Sequence, residues 1–193
     1  MTIRAFLAFP ISGVLKERIK YILDDLQETN ADVKWVTPQN IHLTLKFLGE
    51  LEENAIANVS SMLRERCRGF FPITSHLNEI GAFPDLRHPK IVWAALDDSS
   101  KEICAIVENL EGELAKLGIA QDEHPFKPHI TLGRVRSSAN LKNLIQAIQQ
   151  ITFEDSTEQI FDIIILYKST LTMQGPIYEV LEKFEMARGG IRK

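Results

Sequence analysis

Two cysteines in 193 residues, Cys67 and Cys104, stand apart with no CxxC and no paired spacing. That scarcity argues against a disulfide framework, and both read as reduced thiols of a cytoplasmic protein. No apolar stretch reaches the roughly 18 to 20 residues that a membrane span requires. The run from Ala5 to Leu15 has the outline of a short signal peptide. Pro10 interrupts it, Lys16-Glu17-Arg18 follow and no small-residue cleavage site closes it, so it reads as a first core strand. An excess of positive charge is missing too. Lys and Arg number 22 against 26 Asp and Glu, a formal net charge of −4, which argues against coating long nucleic acids by counterion release. A small or terminal phosphate group remains compatible with that balance. Zinc signatures are absent: there is no HExxH, and His124 and His129 have no third ligand at a familiar spacing.

What the chain does contain is a repeated device. His42-Leu43-Thr44-Leu45 recurs as His129-Ile130-Thr131-Leu132, 87 positions later. With 5 histidines in the chain, random placement gives roughly 0.01 copies of such a tetrapeptide. The spacing is near half the chain, which suggests two similar halves rather than a tandem array. Around the first copy, Ile41, Leu43, Leu45 and Phe47 alternate with His42, Thr44 and Lys46, the pattern of a half-buried strand. Residues i and i+2 of a strand share a face, so each copy presents an imidazole and a hydroxyl from one side and anchors the other in the core.

The hydrophobic fraction of 45% is enough for an ordinary core in a single domain spanning 1–193, with no cofactor or staple required. Strands are expected at 3–9, 33–36, 41–48, 72–80, 90–97, 129–135, 158–167 and 177–186, with Gly49 closing the first motif strand. Helices are expected behind Ser12 as N-cap, with Val14, Leu15, Ile19, Ile22, Leu23 and Leu26 inward; over Ile56, Val59, Met62 and Leu63 to a stop at Gly69; behind a Ser99–Glu102 capping box, with a stripe from Ile103 to Leu117; and at 139–149. Residues 188–193 read as a loose basic tail. Strands and helices alternate, yet several connections are too short for a helical crossover. The expectation is therefore an α+β fold with antiparallel or mixed sheets.

If the halves pack about a pseudo-two-fold axis, the polar faces of the two motif strands meet across a cleft. Two imidazoles then flank whatever binds there, the geometry of in-line displacement at phosphorus. One neutral ring takes a proton from the attacking water and one protonated ring gives a proton to the departing oxygen. Thr44 and Thr131 donate to the non-bridging oxygens as charge grows on them. Histidine suits both tasks because its ordinary pKa lies near 6.5, and the chemistry needs no metal. Threonine is also a strand former, but its identical offset from both histidines favours the functional reading. His76 and His88 read as packed or solvated residues.

Other positions stay open. Alternation from His129 and Thr131 puts Gly133 and Val135 on the cleft side and Arg134 on the other, unless a twist or bulge at Gly133 brings Arg134 round. Lys46 has the parity of His42 and Thr44, as a phosphate contact or a solvated edge residue. Trp35 and Phe83 either stack on a base or pack in the core.

These residues resemble the two-histidine phosphoesterases, and within them the RNA 2',3'-cyclic phosphodiesterases, also called 2'-5' RNA ligases. Arg4 to Ala8 is similar to the family's first strand and Trp35 to Glu50 to its first motif block. Gly81 to Pro84 with Pro89 to Trp93 is similar to its central segment, Pro125 to Arg134 to its second block, and Leu171 to Tyr178 to its closing strand. The resemblance implies a bilobal α+β fold of two pseudo-symmetric halves with the active cleft between the lobes. It implies metal-independent hydrolysis of an RNA terminal 2',3'-cyclic phosphate to a 2'-phosphomonoester, with a reversal that joins 2'-5' linkages. His42 would be the proton donor and His129 the proton acceptor, with Thr44, Thr131 and Arg134 on the phosphate. RNA 3' ends or cyclic nucleotides would be substrates of a monomer with no cofactor, no membrane and no obligate protein partner. The alternative is a catalytically silent module of the same fold that binds a nucleotide or RNA end.

Overall fold

The computed structural model describes residues 2–98, 100–153 and 157–187. Ser99 of the expected capping box and the tail at 188–193 lie outside the described residues. Nine strands and four α-helices are found among those described. In chain order they are β1 (Thr2–Pro10), α1 (Gly13–Gln27), β2 (Val33–Trp35), β3 (His42–Glu52), α2 (Glu53–Arg66), β4 (Ile73–Phe83), β5 (Ile91–Leu96), α3 (Glu102–Lys116), β6 (His129–Val135), α4 (Leu141–Gln150), β7 (Glu158–Phe161), β8 (Ile163–Leu171) and β9 (Pro176–Glu185).

Helix α1 starts where its cap dictates. The Ser12 hydroxyl accepts the Leu15 N–H at 3.2 Å, satisfying one of the donors a helix start leaves unpaired. Leu15, Ile19, Ile22, Leu23 and Leu26 form its buried stripe, while Val14, expected inward, is exposed. At α3 the capping group is Asp98. Its carboxylate accepts the Ile103 N–H at 2.9 Å and the Cys104 N–H at 3.1 Å, and its charge complements the positive end of the helix dipole.

The strands form one curled sheet in the order β7-β4-β5-β6-β3-β1-β8-β9, with β2 also paired to β6. All of these pairings are antiparallel. The two motif strands, β3 and β6, are central neighbours with three strands outward of each. The spatial halves are not the sequence halves, because β8 and β9 return from the C-terminal end to extend β1. The strand expected at 158–167 breaks at Asp162, where β7 goes to β4 and β8 goes to β1. Likewise 171–178 is a hairpin and not a strand, closed by reciprocal Thr172 and Gly175 backbone bonds of 3.1 and 3.2 Å. The first motif strand runs on past Gly49 to Glu52. Gly49 has φ +75° beside a register slip against β1, a conformation glycine adopts without a Cβ penalty.

Helices α2 and α3 pack on β3, α4 packs on β4 and on α1, and one hydrophobic cluster joins them to the sheet. The helices cover one face and leave the opposite face of the central strands free for the site. Among the described residues no helix is long and apolar enough to cross a membrane.

Candidate active site

The central seam is narrow. Strands β3 and β6 pair through Leu43 and Ile130, the residue after the histidine in each motif. Both are fully buried, so their neighbours His42, Thr44, His129 and Thr131, all partly exposed, point to the opposite face. Antiparallel register then sets His42 across from Thr131 and Thr44 across from His129. The pseudo-two-fold axis runs through the Leu43–Ile130 pair.

Both imidazoles are oriented in the same way. His42 Nδ1 donates to the Asn40 carbonyl at 2.7 Å, and His129 Nδ1 donates to the Lys127 carbonyl at 2.7 Å, each two residues upstream. A carbonyl can only accept, so Nδ1 carries the proton and Nε2 is the nitrogen left for chemistry. In the neutral His42 ring Nε2 accepts the Thr44 hydroxyl at 2.9 Å.

The flanks differ. His42 lies 5.0 Å from the Phe6 ring, 5.3 Å from Tyr178 and 6.3 Å from Tyr167 between centroids. That burial holds its pKa below the ordinary histidine value, against the Asn40 carbonyl, which raises it; the Lys16 charge adds to the lowering. Tyr167 and Tyr178 have raised pKa values because they too are desolvated. His129 meets Phe83 edge-on at 5.0 Å, and Phe83 lies 5.2 Å from Trp93. Trp93 stands opposite Thr131 in β5. A Cβ at Gly81 would run into its ring, so that glycine lets the indole lie across β4.

Arg134 reaches the cleft side because of a bulge, though one residue earlier than expected. The register of β5 on β6 slips so that Leu132 is the extra residue. Beyond it the parity is reversed: Gly133 is buried under Val33 and Trp35, and Arg134 is exposed on the histidine face. The Arg134 charge acts on Tyr178, the residue beside His42. The same slip occurs in β3, where Leu45 is extra against β1. There it turns Lys46 away from His42. The Lys46 side chain is only 2% exposed, and its ammonium sits 2.7 Å from Glu111 on α3 and 2.8 Å from Asp122. Phe47, expected in the core, emerges on the cleft face at 63% exposure.

The structure therefore brings His42, His129, Thr44, Thr131, Arg134 and Phe83 to one face. It does not bring Lys46 or Trp35 there. Trp35 packs against the core, its ring 2.7 Å from where a Cβ on Gly133 would stand. His76 lies on β4, His88 is exposed near Asp85, and His124 is exposed in the segment before β6. Among the described residues no three His, Cys, Asp or Glu side chains are grouped to hold a metal ion.

Residues 16–160 match the 2'-5' RNA ligase superfamily. The chain belongs to that superfamily. It is 31% identical over 186 residues to the RNA 2',3'-cyclic phosphodiesterase of Methanothermobacter thermautotrophicus, covering 96% of this chain and 100% of that protein. It is 32% identical over 189 residues to the RNA 2',3'-cyclic phosphodiesterase of Thermotoga maritima, covering 98% of each. Among solved structures, a Thermus thermophilus protein shares the fold at TM-score 0.73 and 26% identity over 97% of this chain and 100% of that one. Apo E. coli LigT shares it at TM-score 0.76 and 22% identity over 97% and 99%. The fold expected from the 2'-5' RNA ligase resemblance is thus the one observed. The aromatic wall of Phe6, Tyr167 and Tyr178 had no signal in the motifs. Phe6 shares strand parity with Pro10, which pairs with His42, but the tyrosines arrive by a return of the chain from its far end.

Proposed function

We propose that the chain hydrolyses the 2',3'-cyclic phosphate at an RNA end and leaves a 2'-phosphomonoester. The observation that carries this reading is the Leu43–Ile130 register, which turns two His-x-Thr pairs onto one face about a pseudo-dyad. Two acid–base groups on opposite sides of one phosphorus suit an in-line displacement. His129 Nε2 accepts a proton as water attacks phosphorus. The bond from phosphorus to the ribose 3' oxygen breaks, and His42 Nε2 delivers a proton to that oxygen. Thr131, Thr44 and the Arg134 guanidinium offset the charge that builds on the non-bridging oxygens.

The lowered pKa of His42 fits a donor that is loaded by its substrate. Burial keeps the free ring neutral at pH 7, and a phosphodiester anion seated beside it favours the imidazolium. Binding should therefore take up a proton. With an RNA 5'-hydroxyl in place of water, the same two transfers join a 2'-5' linkage. The curated relatives, named as RNA 2',3'-cyclic phosphodiesterases at 31% and 32% identity, support the substrate class.

The test is turnover of an oligoribonucleotide ending in 2',3'-cyclic phosphate with EDTA present, the product identified by phosphorus NMR. A 2'-phosphate formed by the wild type and lost in His42→Ala and His129→Ala is the expected result. Binding without turnover between pH 5 and 9 would move the chain to the silent RNA-end binder.

A further inference from the structure

Strand β2 is three residues long, and its register leaves one side chain on the cleft face. Val33 pairs with Val135, Lys34 with Arg134 and Trp35 with Gly133. Val33 and Trp35 pack over Gly133 on the core side, so alternation sends Lys34 to the histidine face beside Arg134. Both of these side chains are exposed. Side chains directly opposite in an antiparallel pair start about 5 Å apart, and like charges so placed repel.

A lysine on a short strand commonly guards a sheet edge. A glutamate serves that purpose too, and opposite Arg134 it would gain a cross-strand ion pair. The strand carries a second cation instead, in a chain whose formal net charge is −4. Among the described residues neither Lys34 nor Arg134 has an ion-pair partner. Lys34 also lies close to the site. Its Nζ comes within 3.9 Å of where a Cβ on Gly175 would stand, in the turn between β8 and β9. Asn40 Nδ2 donates to the Pro176 carbonyl at 2.9 Å, which ties that turn to the residue whose own carbonyl orients His42. Tyr178, two residues past Pro176, lies against the His42 ring. Two adjacent cations with no anion of their own, at the rim of an acid–base pair, match a ligand that carries two negative groups.

We propose that Lys34 is a specificity-determining residue that binds the phosphate on the 5' side of the terminal nucleotide, next to the terminal phosphate that Arg134 faces. This rests on the reading of the cleft as an RNA-end site. Successive phosphates of a strand are one nucleotide apart, and two long side chains rooted opposite each other reach both. The lysine ammonium acts on the second phosphate as a compact point charge. The contact favours an RNA end, which has this phosphate, over a cyclic mononucleotide, which lacks it.

The experiment measures Kd for adenosine 2'-phosphate and for adenosine 2',5'-bisphosphate, which differ only by the 5' phosphate. Wild type, Lys34→Gln and Lys34→Arg are compared. Wild type should bind the bisphosphate more tightly. Lys34→Gln should weaken the bisphosphate by about tenfold, the loss of one charge-assisted contact, and leave the monophosphate unchanged. Lys34→Arg should retain the preference. The urea midpoint of Lys34→Gln should not fall, since the substitution relieves repulsion with Arg134. Equal weakening on both nucleotides would assign Lys34 to the terminal phosphate and overturn the proposal. No weakening on either would leave it an edge guard, and overturns the proposal as well. Wild type that binds neither nucleotide would end the RNA-end reading and this proposal with it. Failure of the hydrolase reading alone shows up separately, as absent turnover of the cyclic phosphate by a wild type that still binds.

Discussion

The two motifs share His, Thr and Leu at three of four positions and an orientation, yet they are set in unlike surroundings. In both, a carbonyl two residues upstream fixes the imidazole tautomer at 2.7 Å, and in both the leucine is a bulge. Beyond the bulge they diverge. The first motif places Lys46 against α3 and Phe47 in the cleft; the second places Gly133 against β2 and Arg134 in the cleft. His42 sits among aromatic rings with a lowered pKa, while His129 touches Phe83 and stands across the seam from Thr44. Two His-x-Thr-Leu tetrapeptides supply the common device, and the residues past the bulge set the two sides apart. One side becomes a desolvated aromatic wall and the other presents an exposed guanidinium.

The largest expected effect comes from breaking the pair at its centre. His42→Ala and His129→Ala should each lose at least about 10²-fold in turnover. They should differ when the leaving group is changed. From a 4-nitrophenyl phosphodiester, 4-nitrophenolate departs without a proton, so most of the His42→Ala deficit should disappear on that substrate and the His129→Ala deficit should persist. The opposite pattern would exchange the two roles, and full activity in either variant would end the mechanism.

The position just past each bulge offers a structural version of the same comparison. Lys46 and Gly133 are equivalent there, and both are buried. Lys46→Met removes a cation from Glu111, 14% exposed, and Asp122, 59% exposed. Breaking a buried pair costs about 3 to 5 kcal/mol, and the exposure of Asp122 puts this one at the lower end, about 3 kcal/mol. Gly133→Ala would drive a methyl to 2.6 Å from Val33 Cγ1 and 2.7 Å from Trp35, a clash worth roughly 1 to 3 kcal/mol. Urea denaturation measures both, and an unchanged midpoint for either would remove that residue from the support of its motif.

Threonine substitutions sharpen the contrast at smaller scale. Thr44→Ala and Thr131→Ala should each cost up to roughly 10²-fold in turnover, the range for losing one donor to a developing oxyanion. The Thr44 hydroxyl also donates to His42 Nε2, which favours the neutral ring. An acid–base pair gives a bell-shaped rate profile whose alkaline limb is loss of the donor's proton, so losing this bond should move that limb upward as well as lower the rate. The described residues show no such bond between Thr131 and His129, so Thr131→Ala should lower the rate with little movement of that limb. Profiles that shift together in both variants would mean that the limbs belong to the coupled pair alone.

Local rules explain which parts of this arrangement were legible in the sequence. The second motif strand at 129–135, the Ser12 cap, the stripe of α1 from Leu15 and that of α3 as far as Leu114 follow from period and capping chemistry; Leu117, expected in the α3 stripe, caps the helix and is exposed. Strict alternation placed Lys46 toward the cleft and Phe47 in the core, and both are reversed. A bulge adds one residue and inverts every later side chain, and a leucine at that position does not announce it. Gly133 was the signal at hand for Arg134, yet the extra residue is Leu132. The break at Asp162 follows from β7 pairing with β4, more than 80 positions away, and β8 with β1, more than 150 positions away, beyond any local pattern. The histidines could be named from the sequence; the rings that tune one of them could not.

The smallest predicted effect isolates that tuning without any substrate. Burial holds the folded-state pKa of His42 below the ordinary value near 6.5, with the Lys16 charge pushing the same way. As pH falls through 6.5 the unfolded chain binds a proton that the folded chain still refuses, so unfolding becomes easier. The stabilising contribution of the neutral ring is therefore complete above pH 6.5 and is lost progressively as pH falls toward the folded-state pKa. Urea unfolding of wild type at pH 7.5 and 5.5 should show lower stability at the acid end. His42→Phe, which keeps an aromatic ring against Phe6 and Tyr178 but cannot titrate, should show a smaller drop over the same interval. Lys16→Ala should fall between the two, since it removes only the weaker of the two causes. Identical drops in wild type and His42→Phe would mean that the aromatic wall leaves the first histidine untuned, and the difference between the two motifs would then rest on Arg134 and Phe47 alone.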